Sequence, residues 1–188
     1  MEKFCSLEGR IAVVTGPAKG MGAAATLMLA KAGADLLLVG RDLNPIEAVA
    51  AEVRDLGRRV EIKKCDVTSE EDVSAMRDAA LSAFGTVDIL VNIAGGTGPL
   101  GANSWETTPE EFDQITDLNM KGCFLTMRSL LPTMIEKLYG KIINVGGTFG
   151  LRGRALRMAY SASKWGLRGI TKSTALEVGP HNINVNCI

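Results

Sequence analysis

The amino-acid sequence predicts an α/β fold: a doubly wound parallel sheet with helices on both faces, in a single domain spanning residues 1–188. Two observations carry this prediction. Apolar runs of strand length alternate with amphipathic helical segments along the whole chain, and each strand–helix–strand crossover must lay a helix over the sheet. With 46% hydrophobic and 22% charged positions, the chain holds enough apolar material for one core, and no repeat, low-complexity tract or linker divides it.

The elements follow in order. Arg10–Thr15 reads as the first strand and runs through a glycine-rich turn into a small-residue helix around Ala23–Ala30. Leu36–Val39 is the second strand. Asn44-Pro45 supplies an N-cap and first-turn pair for a helix whose apolar face is Ile46, Val49, Val53 and Leu56, with Gly57 ending it. The alternating Val60–Cys65 is the third strand, and Thr68-x-x-Glu71 is the capping box expected to open the next helix. Val87–Val91 is the fourth strand, followed by a second capping box, Thr108-Pro-Glu-Glu111, and a long helix. Lys141–Val145 is the fifth strand, a helix begins near Tyr160, and Asn182–Ile188 is the last strand.

Twenty-one basic residues balance twenty-one acidic ones, so no overall field draws the chain toward nucleic acid or an anionic membrane. Cys5, Cys65, Cys123 and Cys187 form no C-x-x-C pair, and His181 is the single histidine, so no metal-site spacing is present. Separated cysteines and a charged N-terminal region without an apolar signal core point to a reducing compartment, the cytoplasm.

The glycine turn reads Thr15-Gly-Pro-Ala-Lys-Gly-Met-Gly22 between strand and helix. Glycines there allow a tight turn and a close backbone approach to a pyrophosphate, while the helix N-terminus offers free N–H groups to the anion. Gly16, Lys19, Gly20, Met21 and Gly22 are therefore candidate dinucleotide contacts. In NAD-preferring Rossmann sites an acidic residue ends the second strand and holds the ribose hydroxyls. Here Gly40 stands at that position, followed by Arg41, whose guanidinium can fork onto a 2′-phosphate, and Lys19 adds a second positive charge. NADP(H) is expected over NAD(H). Tyr160 and Lys164 lie four residues apart on one helical face, where an ammonium stabilises a phenolate and eases proton transfer.

The spacing Thr-Gly-x-x-x-Gly-x-Gly resembles the cofactor motif of the short-chain dehydrogenase/reductases, in particular the 3-oxoacyl-reductase-like NADP(H)-dependent members, and the likeness covers essentially the whole chain. It implies a Rossmann-type oxidoreductase that interconverts a carbonyl and an alcohol by hydride transfer, with Tyr160 as acid or base. It further implies that Asp66-Val67 meets the adenine and that Asn92-Ile-Ala-Gly95 contacts the cofactor mainly through its backbone, including Ala94 and Gly95, although Ile93 replaces the motif's second asparagine. Lys164 would bind the nicotinamide ribose, and Asn119, in Asn119-Met-Lys-Gly122, would organise a water-mediated proton relay.

One departure stands out. The family carries a serine thirteen residues before the tyrosine, and this sequence has Gly147 there. Three readings remain: Thr148, a backbone N–H or water replaces the hydroxyl; the enzyme is slow; or the fold serves as a dinucleotide-binding or interaction protein. Loss of one such donor costs about 10²–10³ in turnover in other enzymes.

On the substrate side, Arg152, Arg154 and Arg157 precede Tyr160, which suits either an anionic substrate or a solvated basic loop or subunit contact. Trp105 either lines the same mouth or packs. The chain reaches Ile188 where relatives continue through a cofactor loop, a substrate lid and a last strand, so a truncated sequence is expected. The likeness also implies a homodimer or homotetramer built on the long helices after Pro109 and Tyr160.

Overall fold

The computed structural model describes residues 6–188. Six parallel strands, β1 (Ile11–Thr15), β2 (Asp35–Gly40), β3 (Val60–Lys64), β4 (Ile89–Asn92), β5 (Gly140–Asn144) and β6 (Ile183–Cys187), lie in the order β3-β2-β1-β4-β5-β6. This is the Rossmann order, with its reversal beside β1, so the crevice for a ligand opens at the carboxyl ends of β1 and β4. The helices are α1 (Gly20–Lys31), α2 (Leu43–Asp55), α3 (Glu70–Phe84), α4 (Pro109–Thr116), α5 (Gly122–Glu136) and α6 (Met158–Val178). A π-helical turn, Asp117–Lys121, joins α4 to α5. No described helix is long and apolar enough to cross a membrane.

Strand alternation divides the core in two. Ala12, Val14, Leu36 and Leu38 face α1 and α2, where they meet Ala30, Ile46, Val49 and Val53. Val13, Leu37, Leu90 and Ile142 face the other way, onto Met76, Leu130 and Met134 of α3 and α5. All four apolar residues of the β2 run, Leu36 to Val39, are at most 1% exposed, because the sheet is covered on both faces.

Two cap assignments are corrected. Asp42, rather than Asn44, caps α2: its carboxylate accepts the Asn44 N–H at 3.2 Å. Ser69, rather than Thr68, caps α3 by accepting the Asp72 N–H at 3.2 Å, because Thr68 is engaged by Asp66. The Thr108 box forms as expected, with reciprocal bonds to Glu111. β4 begins at Ile89, two residues later than the apolar run suggests. The preceding Asp88 is a foundation beneath the sheet, its carboxylate accepting from Ile11 N–H at 3.0 Å and Lys137 Nζ at 2.7 Å.

Candidate active site

The carboxyl end of β1 turns sharply through Gly16 into α1, and a Cβ on Gly22 would fall on the Gly16 carbonyl oxygen. Only glycine lets the turn lie this close to the helix. Lys19 is the N-cap of α1 and no side chain caps it, so the helix's amino end is left open beside Lys19, Met21 and Gly22. Across the turn, Thr15 Oγ1 accepts from the N–H groups of Ile93 and Ala94, both at 3.2 Å, which holds the loop after β4 against β1.

Between them lies a groove of about 380 Å³. It brings together Gly16, Lys19, Met21, Gly22, Arg41, Asp66, Val67, Ala94 and Gly95 of the expected cofactor set. Gly20 and Asn92 do not line it. The Asn92 side chain points into the protein, where Nδ2 donates to Asn144 Oδ1 at 2.9 Å and Oδ1 accepts from Thr126 Oγ1 at 2.9 Å. Gly40 and Ile93, noted in the sequence without a contact role, also line the groove, as do Ala18, Cys65 and Leu118, which sequence reasoning missed. Each adjoins a residue that was identified, so adjacency at the strand ends was the available signal.

Asp66 Oδ1 accepts from the Thr68 N–H at 3.0 Å and the Thr68 hydroxyl at 2.8 Å. The Thr68 backbone bond, with help from its hydroxyl and from Arg41 and against the opposing effect of burial, holds the Asp66 carboxyl below its usual pKa. Asp66 therefore presents an ionised acceptor to the groove. Arg41 and Lys19 stand exposed at its edge, and among the described residues neither has a carboxylate within salt-bridge distance.

The groove fits a dinucleotide on its own geometry. It offers a backbone cradle too tight for a side chain, uncapped helical N–H groups, a carboxylate and two cations.

Tyr160 and Lys164 occupy the first turns of α6. Lys164 is only 7% exposed; its Nζ donates to the Val145 carbonyl at 2.7 Å and lies 5.9 Å from the Tyr160 ring centroid. Burial pushes the lysine below its ordinary pKa, with Cys123 and Cys187 acting in the opposite direction. Burial also pushes the Cys123 thiol up to about 12, so that group stays neutral.

Asn119 sits fully buried in the π-helical turn. Its Nδ2 donates to the Gly96 carbonyl and to Ser163 Oγ, both at 3.0 Å, and its Oδ1 accepts the Gly96 N–H at 2.8 Å. The side chain thus pins the loop after β4 to α6. π-Helical turns recur at functional sites.

Gly147 adopts φ +140°, and a Cβ built on it would lie 3.3 Å from Tyr160 Oη. The position faces the phenol and presents no side chain to it. Thr148 starts a 3₁₀ turn, Thr148–Gly150, and lines a neighbouring cavity of about 320 Å³ with Lys164 and Cys187. The Phe149 ring meets Tyr160 edge-on at 6.0 Å. Trp105, 83% exposed, packs little, in contrast to the packing alternative.

Comparison with known proteins places these features in context. The family described as short chain dehydrogenase matches residues 10–188. The 3-alpha-(or 20-beta)-hydroxysteroid dehydrogenase of Mycobacterium tuberculosis is 38% identical over 97% of this chain and 68% of its own length. The 3-oxoacyl-[acyl-carrier-protein] reductase of Thermotoga maritima is 31% identical over 97% of this chain and 73% of its own. A metagenomic short-chain oxidoreductase, solved in complex with NADP, superposes with a TM-score of 0.92 at 36% identity, covering 96% of this chain and 81% of that one.

Proposed function

Because the chain belongs to the short-chain dehydrogenases, NAD(P)-dependent oxidoreductases of CH–OH and C=O groups, we propose that it interconverts a small ketone or aldehyde and the corresponding alcohol with NADP(H), reduction being the favoured direction. The observation that carries this reading is the pairing of a dinucleotide groove at the ends of β1 and β4 with Tyr160 beside Lys164 at the start of α6, the lysine held on the Val145 carbonyl just past β5.

Gly16, Met21 and Gly22 would hold the pyrophosphate, Asp66 and Val67 the adenine, and the backbone of Ala94 and Gly95 the adjoining ribose. Arg41 and Lys19 would take the 2′-phosphate, since Gly40 offers no carboxylate to repel it. Bound NADPH supplies the hydride. Tyr160 gives its hydroxyl proton to the substrate oxygen, and the neighbouring Lys164 ammonium stabilises the phenolate left behind. Lys164 would also hold the nicotinamide ribose, and Asn119 would organise the route by which Tyr160 regains its proton. Replacing Tyr160 with Phe is the test: turnover should fall by about 10²–10⁴ while NADPH affinity stays within a few-fold. Retained turnover would remove Tyr160 from the mechanism.

A second reading is favoured by Gly147, namely a weakly active or inactive dinucleotide-binding protein on the same fold. Robust NADPH oxidation across a carbonyl panel would exclude it.

Phe124 of α5 and Trp165 of α6 are 46% and 48% exposed, and these faces support a homodimer or homotetramer. Light scattering on wild type and a Trp165→Glu variant tests that arrangement. Cys65 and Cys123 are free, buried thiols, in keeping with a cytoplasmic enzyme.

A further inference from the structure

Arginine pairing across the molecule is uneven. Arg10, Arg54, Arg58, Arg77 and Arg128 each face a carboxylate. Among the described residues, Arg157 faces none, although it lies on the rim of the catalytic tyrosine. Its guanidinium carbon is 5.7 Å from the Tyr160 ring centroid, and its Nη1 donates to the Thr97 carbonyl at 3.1 Å. That bond ties the loop before α6 to the loop after β4 and fixes one end of the guanidinium beside Tyr160. A guanidinium carries five donors, so the remaining N–H groups are left for a ligand.

The surroundings favour an anion. Arg157 is itself the N-cap residue of the 21-residue α6, and no side chain caps that helix, so its positive end adds to the charge. Arg154 stacks over Phe149 at 5.0 Å, and Phe149 packs edge-on against Tyr160, which brings a second unpaired guanidinium to the same rim. The planar fork of Arg157 matches a carboxylate in shape, with two parallel N–H···O bonds.

We infer that Arg157 is a specificity-determining residue, and that the preferred substrate is an oxo acid or hydroxy acid whose carboxylate it binds while the reacting carbon sits at Tyr160. The inference rests on the oxidoreductase reading above and names its substrate class.

The 188-residue chain with NADPH is assayed on matched ketones, 4-oxopentanoate and 4-oxocyclohexanecarboxylate, each against its methyl ester. The expected kcat/KM is about 10- to 100-fold higher for the carboxylates, falling toward parity in Arg157→Gln and persisting in Arg152→Gln. Parity in the wild type, or a preference that survives Arg157→Gln, overturns the inference. A second arm is independent of turnover: benzoate and benzamide are titrated into NADP⁺-loaded chain by calorimetry. Benzoate preference that Arg157→Gln abolishes supports the inference even when no ketone is reduced, a result that would count against the redox reading alone. Equal binding, or none by benzoate, overturns it.

Discussion

Gly147 passes so close to Tyr160 that a Cβ on it would lie 3.3 Å from the phenol oxygen. The residue that departs from the family pattern therefore occupies the place from which a hydroxyl would reach the reacting group. Its φ of +140° also lies where a side chain is strained. Gly147→Ser should lower stability by about 1–3 kcal/mol, read as a fall in Tm, because the backbone must move to accept a Cβ. It should also raise kcat on a carbonyl substrate, by up to about 10² if the donor is fully used. An unchanged or lower kcat in a folded variant would show that the missing hydroxyl does not limit turnover.

Arg41 stands at the edge of the dinucleotide groove with no carboxylate partner among the described residues. Arg41→Ala should weaken NADPH binding about 10- to 100-fold, the range expected for charge-assisted bonds to a phosphate, with little effect on NADH. Fluorescence titration of both cofactors measures this. Tighter NADH than NADPH binding by the wild type would refute the NADP(H) assignment.

Lys164 carries a pH signature. Burial lowers its pKa in the folded chain, so the unfolded chain binds that proton more tightly. Between the depressed folded value and the ordinary lysine value of about 10.4, the folded state gains stability as the pH rises. Denaturant unfolding of the wild type and Lys164→Met at pH 7 and pH 9.5 should show the difference shifting in favour of the wild type at the higher pH. A pH-independent difference would mean that burial is not felt as proton affinity.

Asp88 anchors the amino ends of β1 and β4 through Ile11 N–H and Lys137, the latter also donating to Thr86 Oγ1 at 2.8 Å and the Val87 carbonyl at 2.6 Å. Asp88→Ala leaves a half-buried ammonium without its counter-ion and an amide without its acceptor. The expected loss is about 3 kcal/mol in urea unfolding, with kcat little changed because the crevice lies at the opposite strand ends. A loss below about 1 kcal/mol would reduce the pair to surface strength.

Several features were legible in sequence because they are local. Periodicity within single segments revealed the six strands and their helices, the order of crossovers made the sheet parallel, and the glycine spacing marked the cradle. Tyr160 and Lys164 share a helix, so four residues of separation suffice to bring them together. What sequence left undecided depended on neighbours distant along the chain or on choices between adjacent equivalents. Thr68 and Ser69 both carry a capping hydroxyl; only the engagement of Thr68 by Asp66 assigns the cap to Ser69. Asn119 has the right context for a relay; that its side chain also braces Gly96, 23 residues earlier in the chain, is visible only in the fold. Arg157 and Gly147 stand out in the sequence already, but the bond of Arg157 to Thr97, 60 residues away, and the approach of Gly147 to the Tyr160 hydroxyl are decided by the fold alone. Local spacing thus determined the fold and the chemistry on offer, whereas long-range packing decided which polar groups are spent on holding the structure and which remain free for a ligand.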